Sequence, residues 1–270
     1  MKREKFGSRI GFILVSAGCA IGIGNVWKFP YLAGEMGGAA FILIYLLFLL
    51  IMGIPVLVCE FAVGRASRYS IAEAFETLEP EGTKWHWTKW IGILGSYLLM
   101  MFYTTVAGWM LYYCFRNIRG DFAGAGTKEV EAGFSQMLGN APVMGLWTFI
   151  LIAAGFGICW FGIQNGIEKV SKVMMSVLFL IMIVLAVRSV FLEGAGEGVR
   201  FYLIPDFQKM QEIGIGNVIF GAMSQAFFTL SIGIGAMMIF GSYLGKERSL
   251  TGEALSITIL DTFVATMAGF

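Results

Sequence analysis

Charge is scarce in this chain of 270 residues: Asp, Glu, Lys and Arg make up only 14% of it, where soluble domains run near about 25%. What charge there is nearly cancels, to a net +1, which argues against a polyanion such as nucleic acid as the partner. Histidine occurs once, as His86 in a polar stretch, so there is no material for a histidine-rich metal cage or a buried histidine base. The four cysteines, Cys19, Cys59, Cys114 and Cys159, all fall inside apolar runs. They read as small packing residues rather than a disulfide framework. Low-complexity linkers are missing too. What is abundant is apolar: 57% of the residues are hydrophobic and mean hydropathy is +0.76. Several runs reach the roughly 20 residues that a membrane-spanning helix needs.

The chain opens on Lys2, Arg3, Lys5 and Arg9 followed by Ile10 to Ala17. That resembles a signal peptide, but Ser16 interrupts the apolar core and the run continues past Cys19. It reads as a first span with a basic flank. The pattern predicts a single transmembrane domain over 1–270. Its spans fall at about 10–32, 39–63, 91–115, 143–163, 173–192, 217–244 and 250–270. Between them lie a polar segment, 64–90, with a helical stretch at 71–78, loops at 116–142 and 193–216, and short links at 164–172 and 245–249. With the N-terminus inside, twelve of the 19 lysines and arginines face the cytoplasm, as the positive-inside rule asks. The sequence stops at the end of span 7 without a polar flank, which reads as an incomplete chain.

Within span 1 the run Gly18 to Pro30, GCAIGIGNVWKFP, cannot be an ordinary helix. It carries three glycines, Asn25, Lys28 and a proline. A second interruption lies at Ser231-Ile-Gly233-Ile-Gly235, after Gln225 and Thr229. Non-helical backbone is tolerated at membrane depth only where it faces protein or a water-filled cavity. Two such interruptions point to a transporter site near the midplane. Released carbonyls coordinate a small cation, and the amino end of a half-helix favours an anionic group. Asn25 adds an amide oxygen, Thr229 and Ser231 add hydroxyls, and Asp261 adds a carboxylate within span 7. Hard oxygen donors without His or Cys suit an alkali cation. The bland alternatives stay open at this point. Gly18 and Gly22 also fit a close-packing seam, and Thr229 and Ser231 could bond their own helix. Glu60, near the inner end of span 2, reads as a structural polar group.

At these residues the chain resembles the neurotransmitter:sodium symporter family, and specifically its bacterial amino-acid transporters. The matching words are Arg9 with Gly11-Phe12-Ile13-Leu14, Gly18 to Pro30, Glu35-x-Gly37-Gly38-x-x-Phe41, and Gly53-Ile54-Pro55 with Glu60 and Gly64-Arg65. They continue with Tyr202-x-x-Pro205-Asp206-Phe207, Gln225 to Ser231 with Gly233 and Gly235, and Ser242-Tyr243. The resemblance implies an all-α inverted-repeat (5+5) symporter fold with discontinuous helices 1 and 6, of which only spans 1–7 are present and the second repeat is incomplete. It implies one sodium held by the Ala20 carbonyl, Asn25, Thr229 and Asp261, and a second on the Gly18 and Ile21 carbonyls. The substrate would touch Ala20, Gly22, Gly24, Leu99, Tyr103, Phe228, Ser231 and Ile234, with Tyr103 on its carboxylate and Phe228 as a lid. Lys28 would line the outer gate. Arg3, Phe6, Ser242 and Tyr243 would belong to the inner one.

Where members that carry monoamines have an aspartate, this chain has Gly22, which favours a substrate with its own carboxylate. Tyr45 and Gln225 fit the family's anion site. Ala265 lacks the hydroxyl found there in chloride-dependent members, and Asp261 stands where many members have asparagine. The expectation is that the Asp261 carboxylate replaces chloride, so that sodium is required and chloride is not. The reading is therefore sodium-coupled symport of an amino acid by alternating access, across a bacterial inner (plasma) membrane, with a cytoplasmic N-terminus, no covalent chemistry and no nucleic acid. A homodimer is left open. The alternative is a non-transporting membrane module that needs a partner chain. An intramembrane enzyme lacks its base, since His86 is in a loop and Asp261 has no second aspartate.

Overall fold

The computed structural model describes residues 7–270, and the regular elements in that range are helices. Helix α1 (Arg9–Ala20) starts at Ser8, whose hydroxyl accepts the Gly11 N–H at 3.0 Å, a standard N-cap. It ends because Ile21 turns extended, with ψ 107°. After the break, a π-helical turn at Gly24–Lys28 leads into α2 (Phe29–Glu35), inclined by 54° to α1. Pro30 sits in the first turn of α2, where a missing N–H leaves nothing unpaired.

Helices α3 (Ala39–Phe48) and α4 (Ile54–Ser67) form one span of 29 residues, joined by a π-helical turn at Leu49–Gly53. The turn widens just before Pro55, with the Ile54 N–H reaching back to the Leu49 carbonyl. Proline crowds the preceding turn, and a one-turn bulge relieves that. There follow α5 (Ile71–Leu78), α6 (Thr88–Arg119), α7 (Thr127–Leu138) and α8 (Ala141–Trp160). Next come α9 (Lys169–Val190), α10 (Ala195–Leu203), α11 (Phe207–Ile213), α12 (Ile215–Thr229), α13 (Ala236–Tyr243) and α14 (Leu250–Ala268).

Among the described residues five helical stretches are long and apolar enough to cross a membrane, and the bent α1–α2 pair makes a sixth. The expected span 217–244 takes the form of two shorter helices, α12 with 15 residues and α13 with 8, flanking the second break at 230–235. Large apolar side chains are exposed along the outside of these helices, for example Phe156 at 74% and Leu180 at 64%. A helix apolar on every face belongs in lipid.

Three polar stretches expected as loop or link are helical. The 116–142 stretch holds α7, started by Glu129, which accepts the Gly126 N–H at 3.1 Å. The 193–216 stretch holds α10 and α11, the latter capped by Asp206 on the Gln208 and Lys209 N–H groups. The 164–172 link is a π-helical turn, Ile163–Glu168, continuous with α9. Polarity there marks capping and helix-to-helix bonds, not loop.

Contacts group the chain into two compact units. The first runs to Ile93 and resumes over Ile163–Phe270; the second is Leu94–Gly162. The core of the first is built from Phe12, Phe29, Phe41, Tyr45, Leu57, Phe61, Leu230, Met237 and Ile257. In it α13 lies directly on α4. A Cβ on Gly241 would stand 2.7 Å from the Phe61 Cα, and one on Gly64 would stand 3.0 Å from the Met238 Cα. Only hydrogen fits at these two positions, so the backbones meet, as small residues allow in membrane helices. In the second unit Gly108 packs on Thr148, and Trp109, Tyr113 and Phe134 form an aromatic cluster.

Candidate functional site

The two breaks meet a single buried polar cluster. Asn25, Thr229 and Asp261 are all fully buried, from the π-helical turn after the first break, the last residue of α12 and the middle of α14. Asn25 Nδ2 donates to Asp261 Oδ1 at 2.8 Å, to Thr229 Oγ1 at 3.0 Å and to the Asp261 carbonyl at 3.2 Å. The Thr229 hydroxyl lies 3.0 Å from Asp261 Oδ2 and 3.2 Å from Oδ1. A carboxylate at full burial costs several kcal/mol unless its lone pairs are met. Here an amide and a hydroxyl from two other helices meet them. Three oxygens from Thr229 and Asp261 thus converge within 3.2 Å on one atom of Asn25.

The first break supplies backbone. In a continuous helix the Gly22 N–H would bond the Gly18 carbonyl; instead it donates to Asn25 Oδ1 at 3.1 Å. The Asn25 oxygen, the atom expected to face a cation, is therefore held by Gly22, and its nitrogen faces Thr229 and Asp261. Ile21 is extended, so its carbonyl turns out of the α1 ladder, while the Ile21 N–H still bonds the Ala17 carbonyl.

The second break is tied to the first. Ser231 donates from Oγ to the Cys19 carbonyl at 3.1 Å, and its φ of 52° is left-handed, a conformation uncommon outside glycine and worth a functional look. Gln225 Nε2 donates to the Gly24 carbonyl at 3.0 Å. Its Oε1 and the Tyr45 hydroxyl, both expected at an anion site, are buried with no hydrogen-bond partner among the described residues. Ala265 is fully buried as well.

Glu60 in α4 holds the start of another helix. Its Oε1 accepts the Gly233 N–H at 2.7 Å and its Oε2 the Met237 N–H at 3.1 Å, so the carboxylate faces the amino end of α13. Eight residues on, Arg68 donates to the carbonyls of Ser242 at 3.1 Å and Leu244 at 2.9 Å, at the carboxyl end of α13. One neighbouring helix places a negative group on the positive end of α13 and a positive group on its negative end, matching the helix dipole. Sequence reasoning missed Arg68. The available signal was the Glu60-to-Arg68 spacing, which equals the 8-residue length of α13.

The remaining expected residues fall as follows. Ala20, Gly22, Gly24, Ser231 and Ile234 lie at the two breaks, and Gly18 lies at the last turn of α1. Lys28 places Nζ 4.0 Å over the Phe228 ring, bringing the expected gate and lid together as a cation–π pair. Ser242 is fully buried and, with Tyr243, ends α13. Leu99 and Tyr103 are one turn apart on α6, in the second compact unit. Arg3 and Phe6 lie outside the described residues.

The family model of the sodium:neurotransmitter symporter family matches residues 3–132 and 135–270. The chain belongs to that family. A solved relative, MhsT in complex with L-phenylalanine, superposes with a TM-score of 0.89 at 39% identity, covering 99% of this chain and 60% of that one. The sodium-dependent transporter YhdH of Bacillus subtilis is 39% identical over 99% of this chain and 58% of its own length. A mouse sodium- and chloride-dependent GABA transporter is 28% identical over 100% of this chain and 50% of its own length. The chain thus spans about half to three-fifths of the relatives it matches. As a symporter-family chain with this fold, it is a multi-pass membrane protein, and two of the words that carried the resemblance, Gly18 to Pro30 and Gln225 to Gly235, span the two breaks.

Proposed function

We propose that the protein of which this chain forms the described part is a sodium-coupled amino-acid symporter. The observation that carries the reading is the buried Asn25–Thr229–Asp261 cluster at the junction of two broken spans. Its donors are a carboxylate, a hydroxyl and an amide, which suit an alkali cation. On binding sodium, Asn25 turns its amide through half a revolution, gives up the Gly22 N–H and offers Oδ1. The Ala20 carbonyl, Thr229 and Asp261 complete the protein's share of the shell. A second ion uses the carbonyls of Gly18 and Ile21. The substrate lies beside the first ion, between Gly22 and Gly24 on one side and Phe228, Ser231 and Ile234 on the other. That MhsT was crystallised with an amino acid supports this substrate class, and Gly22 leaves room for a substrate carboxylate. Sodium and carboxylate then stabilise one another at short range, which is the coupling. Alternating access, with no covalent step, moves them across the bacterial inner membrane, the N-terminus being cytoplasmic.

Chloride is not needed in this reading, because Asp261 carries the charge. Binding of a radiolabelled amino acid to the full-length natural protein is expected in sodium and not in potassium. It should be equal when gluconate replaces chloride. Binding without sodium would overturn the symport reading, and a strict chloride requirement would overturn the role given to Asp261.

A further inference from the structure

We propose that Ile71, at the start of α5 in the segment between spans 2 and 3, is a positioning residue for the second break and thereby sets which substrate side chains the site accepts. The substrate part rests on the function proposed above; the positioning part does not.

The observation is a notch made of two glycines. Gly92, near the start of α6, and Gly235, the residue before α13, present bare backbone to the same side chain. A Cβ on Gly92 would come within 3.0 Å of Ile71 Cγ1, and one on Gly235 within 2.8 Å of Ile71 Cβ and 3.0 Å of its Cγ1. Ile71 fills the space that both Cβ atoms would need. The Ile234 carbonyl lies against the same side of Gly92, 3.0 Å from where its Cβ would be. Gly235 has φ +75°, so glycine is required there for its conformation as well as for space. The peptide from Ile234 to Gly235 is therefore clasped between α6 and Ile71.

Hydrogen bonds anchor the backbone around this peptide but do not fill the notch, since the Glu60 carboxylate also reaches the Gly235 N–H. Glu60 holds the N–H groups of Gly233 and Met237, on either side of it. Gly64 and Gly241 seat α13 on α4 farther along. Arg68, three residues before Ile71 in the same turn, holds the far end of α13. Packing by Ile71 sets how far the Ile234–Gly235 peptide sits from α5, and the β-branched Ile71 is stiff at χ1. Close-packed contacts of this kind transmit a change of one methyl group. A smaller side chain at 71 lets the Ile234–Gly235 peptide settle toward α5 and enlarges the space next to the ligand. A Cβ on Gly92 pushes it the other way.

The test uses the full-length natural protein with Ile71→Val, Ile71→Ala, Gly92→Ala and the Ile71→Ala/Gly92→Ala double variant. The first readout is amide hydrogen exchange over 232–238 without ligand. The second is the ratio of sodium-dependent affinities for alanine and phenylalanine. Ile71→Ala is expected to speed exchange in that segment about tenfold and to shift the affinity ratio about fivefold or more. Ile71→Val, which deletes the Cδ1 methyl nearest both glycines, should shift both readouts in the same direction by a smaller amount, and the double variant should recover part of both effects. Exchange within twofold of the parent in Ile71→Ala overturns the positioning role. Altered exchange with an unchanged affinity ratio overturns the selectivity role. If neither amino acid binds the parent, the proposed function fails, and exchange alone decides the positioning. Should Ile71→Ala not fold, Ile71→Leu, which keeps the volume and moves the branch, is judged by the same limits.

Discussion

Replacing Glu60 by glutamine keeps the shape of the side chain and removes its charge. In the structure both carboxylate oxygens are occupied, by the N–H groups of Gly233 and Met237 at 2.7 and 3.1 Å. Glutamine can accept only one of them, so one buried N–H loses its partner and faces an amide NH2 instead. An unmatched buried donor costs about 1–3 kcal/mol. The lost charge at a partly buried helix end adds up to about 2 kcal/mol. With only 8 residues, α13 is too short to hold itself together in isolation. The combined loss is roughly 2–4 kcal/mol, which for a chain of this size lowers Tm by roughly 5–15 °C. Circular dichroism in detergent micelles reads the melting shift, and hydrogen exchange should show the 233–238 amides loosened first. Removing the positive end through Arg68→Gln should loosen 242–244 instead, leaving 233–238 nearly unchanged. A Glu60→Gln variant that melts within about 1 °C of the parent, with unaltered exchange at 233–238, would refute the dipole clamp.

Thr229→Val, which matches the side chain in shape but deletes the hydroxyl, removes a donor to Asp261 and an acceptor for Asn25. It should cost about 1–3 kcal/mol of stability and weaken sodium binding at least about tenfold, read by titration calorimetry. Gly64→Ala drives a methyl group into the backbone at Met238. Overpacking of this kind typically costs about 1–3 kcal/mol, and a melting curve matching the parent would show that α13 does not lie on α4 as described.

Much of this was legible in the residues. The glycines, amide and proline between Gly18 and Pro30 cannot form a continuous helix, and the structure breaks there at Ile21. Helix α5 falls on the stretch predicted from its pattern, 71–78. What escaped was polar structure that looks like loop. Asp206 and Glu129 start helices, and Glu168 buries its carboxylate against the Gly7 N–H and Lys172. Asp206 and Glu129 meet N–H groups within three residues, a local capping signal that the pattern carried, whereas Glu168 meets the Gly7 N–H 161 residues away, which composition cannot show. Arg68 and Ile71 were invisible for the same reason as Glu168: Arg68 meets α13, and Ile71 meets Gly235 at the break before it, each more than 160 residues away. Asn25 shows the limit in another form. The residue was identified, but which of its two terminal atoms faces Asp261 depends on the Gly22 N–H that the break sets free.

The central claim is that Asn25, Thr229 and Asp261 hold sodium. The most direct measurement is the melting temperature of the full-length protein as sodium replaces choline at constant ionic strength, for the parent and for Asp261→Asn. Sodium at about 100 times its dissociation constant stabilises the native state by about 2.7 kcal/mol. The parent should therefore melt several degrees higher in sodium, and Asp261→Asn should show a small fraction of that shift or need far more sodium to reach it. Equal sodium stabilisation of parent and variant would contradict the account, because the ion would then bind somewhere other than this cluster.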